Sequence, residues 1–576
     1  GGGPTREMLE HIRRMEGGIP GCPQVQHGHM GPFFDRLTTK MHATPEAYPT
    51  WVGELYLEFH RGTFTSVAEV KRNNRRGEAL MREVEALASL ALVRTGHAYP
   101  RDEINALWDI VLLNQFHDIL PGSSIPEVYE DSAAEFAEFY ARADQLLSDL
   151  TARLAGQETW LLMNPMGQAR DALVTVDGAA PQAIDGMPTQ SLTRATGEVV
   201  QGAIVKNVPA IGARPVTLAA SAAQAPAATE LSVSETHIEN ARLRATLDGA
   251  GRLSSVVDKR TGREVLKGAG NRLQAFRDLP AQYDAWDIDT TYMDQAWEID
   301  DLVSAEVVET GPYRAAIRLE WRYESSTIVQ VLSLEAGADV IEFDTAIDWR
   351  EKNTLLKSAF PLDVQTSESI AEVQFGHVAR PTHQNTSWDE ARFEAPMHRW
   401  VSLGEADFGA AVLNDCKYGY DAQGTTLRLT ILRAPTWPWD GADIGTHHLR
   451  YGFMLHHGIE AVPAVAEAFN HPMVLRKGAQ SQSADLSSLV TPKTDGIAVE
   501  AVKLSEDGTA LIVRLWERFG RSQQAQITLA PDILSADLAD MLEKSQETLE
   551  LAGGDVAVSF KPFEIKTLRL TWKTVS

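Results

Sequence analysis

Near residue 158 the hydrophobic pattern of this chain changes period, and that change constrains what it can fold into. Before it, apolar residues recur three or four apart. In AEVKRNNRRGEALMREVEALASLALV (68–93), Val70, Leu80, Val84, Leu87 and Leu90 mark a long helix with a basic start and an apolar second half. A second helix is expected from about Arg101 to Leu113 and a third from about Ile125 to Leu154, rich in Ala, Glu and Leu. Three long helices with short links imply an antiparallel bundle. A short helix from Pro4 to Arg14, followed by a loop, precedes them.

After residue 158 the pattern alternates, as strands with one buried face require. ALVTVDG, VVQGAIV and RPVTLAA read as short strands punctuated by Gly and Pro, and the Ala-rich 219–230 as a linker or exposed loop. ARLRATLDGAGRLSSVVDKRTGREV alternates on both sides of Asp248-Gly249-Ala250-Gly251 and turns again at Lys259–Gly262, the pattern of a hairpin. Similar strands recur to about residue 470, which fits one large β-sandwich, and a last β unit follows the polar stretch 481–496.

Composition removes several function classes. With 576 residues and 44% apolar content the chain can bury several cores. A formal charge of −26 opposes binding to nucleic acid. Cys22 and Cys416 lie far apart in a long chain, which fits a reducing, cytoplasmic setting without a disulfide framework. No run of apolar residues is long enough for a membrane helix, so no membrane partner is expected. The opening GGGPTREMLE resembles the middle of a loop, so the chain is expected to be a fragment.

Within LNQFHDILPGSSI (113–125) an apolar helix ends in His117-Asp118 and breaks at Pro121-Gly122, which could project both side chains into a cleft. Imidazole is a common zinc ligand, and a neighbouring carboxylate can orient a ligand or grip hydroxyl groups. The plainer alternative is a His that caps the helix or meets its dipole. A single His cannot hold zinc, which takes three or four protein ligands.

LWDIVLLNQFHDILPGSSIPEVYED closely resembles the signature of glycoside hydrolase family 38, the zinc-dependent retaining α-mannosidases. GELYLEFHRGTFTS, KRNNRR, NPMGQAR, YDAWDID, RPTHQNTSWDEARFEAPMHRW and LNDCKYGYD add matches, and the resemblance runs from residue 1 to about 570. It implies that His117 is one ligand of a single Zn²⁺ and that Asp118 contacts sugar hydroxyls. It also implies that the remaining ligands, the nucleophile and the acid/base Asp lie upstream of residue 1, so no catalytic residue is expected in this chain and the fragment alone is expected to be inactive. Retention needs two carboxyl groups about 5–5.5 Å apart.

The expected fold class is multidomain α+β: a three-helix bundle followed by mainly antiparallel β-sandwich (supersandwich) domains, with a remnant of an α/β catalytic domain at the N-terminus. The boundaries are 1–45 for the remnant, 46–157 for the bundle, 158–228 for a small β domain, 229–480 for the large sandwich and 481–576 for a C-terminal β domain. The expected partner is an α-mannoside oligosaccharide; self-assembly into a homo-oligomer stays open.

Other constellations have two readings each. In QYDAWDIDTTYMDQAW (282–297) four carboxylates, Asp284, Asp287, Asp289 and Asp294, alternate with aromatics. This could line a sugar cleft, with Trp286 and Asp287 the chosen substrate contacts, or dock two domains. Arg61, Lys417 and Tyr418 are candidates for the cleft rim, whereas Glu58 and His60 are read as buried ion pairs within the bundle. His27 and His29 have metal-ligand spacing but sit in a Gly-rich loop. The pairs at 447–448 and 456–457 are read as strand and loop surface, and Asn385, Trp388 and Asp389 as a family motif or a structural corner. Two rivals remain: a non-catalytic carbohydrate-binding or interaction module, and a related hydrolase acting on another α-mannoside such as mannosylglycerate.

Overall fold

The computed structural model describes residues 3–157, 159–176, 183–221, 230–480 and 484–574. The chain divides into two compact units, Gly1–Tyr56 and Leu57–Ser576.

Among its described residues the first unit holds two α-helices, a short 3-10 turn at Pro45–Ala47 and no strand. Helix α1 (Arg6–Glu16) begins where the Thr5 side chain accepts a hydrogen bond from the Met8 amide. Helix α2 (Met30–Ala43) stands where only a loop was expected. Met30, Phe33, Leu37 and Met41 have helical spacing, but the neighbouring Gly and Pro residues mask the pattern.

In the second unit the bundle consists of α3 (Ala68–Thr95), α4 (Arg101–Asn114) and α5 (Pro126–Leu154). Gly96, at φ 68°, ends α3 and returns its amide to the Leu92 carbonyl. Pro126 opens α5 at the first turn, where its missing amide costs nothing. Gly77 lets the three helices approach, because a Cβ there would stand 3.2 Å from Val111 and 3.3 Å from Phe136.

The apolar second half of α3 is buried around its whole circumference because a second layer covers it. Val84, Leu87 and Leu90 share one core with Val499, Val513 and Leu515 of the C-terminal sandwich. That sandwich has a five-stranded sheet built from Ile497–Leu504, Leu511–Glu517, Ile565–Trp572, Ile533–Ala539 and Ser545–Leu549, in that order, and a three-stranded sheet. Polar ties reinforce the packing. Arg82 of α3 donates to Glu467 at 2.7 Å, and Arg518 reaches the same carboxylate at 3.1 Å. The two guanidinium groups overcome the burial of Glu467 and hold its carboxyl at about 2.

The large sandwich sets a nine-stranded antiparallel sheet against a six-stranded one. Phe360, on the six-stranded sheet (strand Thr354–Pro361), stacks on Phe453 of the nine-stranded sheet with ring centroids 4.7 Å apart. Alternation decides what the opposite face of that strand carries. Leu356 and Phe360 enter the main core, while Leu355 turns outward to pack with Phe276, Ile288, Tyr292 and Phe393. Lys357 shares that outward face, fully buried, with Asp421 at 2.8 Å and Glu394 as its counter-charges. The outer face of the six-stranded sheet is thus covered, and residues 278–295 form part of the cover.

The Ala-rich linker expected at 219–230 falls largely outside the described residues. The hairpin at 241–265 forms as the strands Leu243–Leu247, Leu253–Asp258 and Arg263–Glu264.

Candidate active-site surface

Helix α4 stops at Asn114, and Gln115 to Ser124 fold into a compact loop. Gln115 is fixed by Asn74 and Glu78 of α3 at 2.9 and 2.8 Å. The Ile119 and Leu120 amides return to the Phe116 carbonyl, and the Ser124 hydroxyl donates to the Asp118 carbonyl at 2.7 Å. With the loop backbone so occupied, the His117 and Asp118 side chains project outward, 82% and 64% exposed. His117 Nε2 lies 3.7 Å from Asp118 Oδ2, beyond hydrogen-bond length, and the Phe116 ring packs beside the imidazole at 4.7 Å.

Gly122 permits this turn. Its φ is +81°, and a Cβ would fall 2.0 Å from the Ser66 carbonyl oxygen. Gly122→Ala is expected to destabilise the loop by about 1–3 kcal/mol from the left-handed backbone alone, before the overlap is counted. Thermal unfolding and amide exchange at residues 117–122 would measure it; unchanged protection there would contradict this account.

Beneath the loop lies Lys71, whose ammonium donates to the carbonyls of Leu120, at 2.8 Å, and Ser66. Complete burial lowers its pKa to about 7 even though Asp443 is nearby. Ser66 faces the other way as well, its hydroxyl donating to the Ala285 carbonyl at 2.7 Å, while the Gly62 amide donates to Trp286 at 2.8 Å. The fully buried Arg433 closes this hub: its guanidinium holds Asp278 at 2.6 Å and donates to Ser66 Oγ and to the carbonyls of Ala285 and Asp287. The two segments singled out in the sequence, 117–118 and 286–287, are therefore anchored on one stretch, Gly62–Lys71.

The carboxylates of 282–297 divide by role. Asp284 accepts from the Thr436 and Trp437 amides, and Asp289 from the Ala281 amide, so both hold turns. Asp287, chosen as a substrate contact, is only 8% exposed; Arg61 reaches it at 3.2 Å and the Ile288 amide at 2.9 Å. Asp294 is exposed. Trp286 is half-buried with Trp437 at 5.4 Å and Tyr283 at 6.5 Å, and Tyr283 and Trp437 are themselves exposed. Of this segment, the aromatic group is what faces solvent.

Several side chains lie elsewhere than expected. Arg61 is interior, donating to the Ala391 carbonyl at 2.8 Å with its guanidinium 4.3 Å from the Phe393 ring. Lys417 is buried, and the half-buried Tyr418 accepts from Arg75 at 3.0 Å. Glu58 and His60, read as buried ion pairs, are exposed instead, because residues 58–64 form a short 3-10 segment outside the bundle core. His29 precedes α2 and His27 donates its amide to Glu16, both exposed. Of the paired histidines, His456 is buried against Ser402 at 2.8 Å and His448 bonds Asp344 at 2.6 Å, so neither is plain surface. Asp389 closes a capping box with Thr386, a structural corner.

Among the described residues no three His, Cys, Asp or Glu side chains are grouped so that they could hold a metal ion. His117 and Asp118 are one imidazole and one carboxylate facing solvent, which does not suffice for zinc.

Three family models match in sequence order: the alpha mannosidase middle domain over residues 58–154, the glycosyl hydrolases family 38 C-terminal domain over 238–440, and the family 38 C-terminal beta sandwich domain over 496–568. The chain belongs to glycosyl hydrolase family 38. It is similar to alpha-mannosidase 2C1 of Homo sapiens, 34% identical across 99% of this chain and 55% of that protein. It is also similar to alpha-mannosidase of Saccharomyces cerevisiae, 27% identical across 99% of this chain and 53% of that one. This family 38 chain thus spans about half the length of the curated relatives it matches. Among solved structures, an alpha-mannosidase from Enterococcus faecalis V583 has the same fold, with a TM-score of 0.79 at 17% identity, covering 98% of this chain and 74% of that one.

Proposed function

We propose that this chain is the C-terminal portion of a zinc-dependent retaining α-mannosidase that removes terminal α-linked mannose from oligosaccharides. The observation that carries the reading is the match of 99% of the chain to proteins named α-mannosidase, with the His117-Asp118 pair held outward on a braced loop. In this proposal His117 is one ligand of the single zinc, Asp118 accepts hydrogen bonds from sugar hydroxyls, and the remaining ligands come from the longer protein. Trp286 belongs to an aromatic group suited to the apolar face of a pyranose.

Asp284, Asp287 and Asp289 are committed to structural bonds. Their engagement supports placing the two catalytic carboxylates in the longer protein, with this chain inactive by itself. Two free cysteines, and no described helix long and apolar enough to cross a membrane, are compatible with a cytoplasmic setting, which we include in the proposal.

Hydrolysis of a chromogenic α-mannoside by the full-length protein and by residues 1–576 tests it, with the first-formed anomer followed by NMR. Turnover by the full-length protein alone, releasing α-mannose first, is expected. Turnover by the shorter chain, or β-mannose first, would reject the corresponding part.

A further inference from the structure

Beside the amino-terminal end of α3, on the sandwich side, lies a cavity of about 130 Å³ lined in part by Ala68, Arg72, Lys417, Trp439, Asp443 and His447. Lys417 is 4% exposed. Its amide donates to Asn414, but its ammonium has neither a hydrogen-bond nor an ion-pair partner among the described residues. The Nε of Arg72 is buried and has no partner among them either; its Nη2 lies 3.9 Å from Glu69. Buried donors are nearly always satisfied, so the buried Arg72 Nε and the unpaired Lys417 ammonium, both at the cavity wall, leave two cationic groups open to an acceptor there.

The acidic groups present do not supply it. Each oxygen of Asp443 caps the α3 terminus, accepting from the Val67 and Ala68 amides at 2.9 and 2.7 Å, and no ion pair joins it to Lys417 among the described residues. The Glu69 side chain is 58% exposed and reaches Arg72 only at that 3.9 Å distance. His447 Nε2 is 2.8 Å from the Asp443 carbonyl, and His448 is bound to Asp344. Lys71, behind the helix terminus, adds positive charge, and Lys417 contributes to its lowered pKa.

We propose that this cavity binds a small oxyanion of the phosphate class, held by the Lys417 ammonium and the Arg72 guanidinium beside the α3 terminus. Charge-assisted bonds from ammonium and guanidinium to an oxyanion are strong, and the tetrahedral ion offers acceptors in several directions. The cavity has room for one such ion with water. The ligand is either free phosphate or the phosphate of a monoester.

Calorimetric titration of the 576-residue chain with inorganic phosphate, at constant ionic strength in chloride, tests the site. One saturable site is expected, weakened at least tenfold in Lys417→Gln and in Arg72→Gln and largely retained in Lys417→Arg. Phosphate should raise the melting temperature of the wild type and leave that of Lys417→Gln unchanged. Absence of saturable binding, or undiminished binding in both glutamine variants, overturns the proposal. Mannose 6-phosphate distinguishes the sources: tighter binding than phosphate supports an ester, and equal or weaker binding supports the free ion.

Discussion

Full-length protein carrying His117→Ala is expected to lose stoichiometric zinc and more than about 100-fold in kcat/KM, since even changes around a metal's ligands cost about 10–100-fold. Its stability should change little. The imidazole is 82% exposed and makes no hydrogen bond within the described residues, and such surface substitutions stay within about 0.5 kcal/mol. Metal analysis, kinetics and thermal unfolding on one preparation separate the outcomes. Lost activity with a lowered melting temperature would mean that His117 supports the loop, and unchanged zinc would remove it from the ligand set.

Arg433→Met is the larger structural perturbation. Arg433 and Asp278 are both fully buried, and burial raises the Asp278 carboxyl while the guanidinium opposes that rise. Methionine would leave Asp278 uncompensated, at a cost of about 3–5 kcal/mol. It would also release the Ala285 and Asp287 carbonyls and Ser66 Oγ, freeing the segment that presents Trp286. The unfolding transition of the large sandwich is expected to fall by roughly 10 °C. Adding Asp278→Asn should recover part of the loss, since it removes the stranded charge. Absence of any recovery would show that the hub acts through its carbonyl contacts and not through the ion pair.

Much of the fold was legible because its signals are local. The three long helices stand within two residues of their expected bounds, since apolar spacing, Pro126 and Gly96 act within a turn. Helix α2 was missed for a similarly local reason, the Gly and Pro beside it. The site was legible in part. His117-Asp118 stood out as a polar pair at a helix break, and Trp286 as one of several aromatics among carboxylates. Lys71 and Arg433 left only a faint trace, charges at the edge of apolar runs, and Asp443 left none.

The sequence by itself determined where helices give way to strands, which turns need glycine, and which family the long motifs resemble. Tertiary structure alone decided which charges are spent inside the protein. Asp443 caps a helix 375 residues away, Asp287 is held by Arg61, and Lys417 faces a cavity with no ion-pair partner of its own among the described residues. The physical reason is range. Periodicity and turn chemistry act over a few residues, whereas the fate of a buried charge depends on partners that only the folded chain brings within reach.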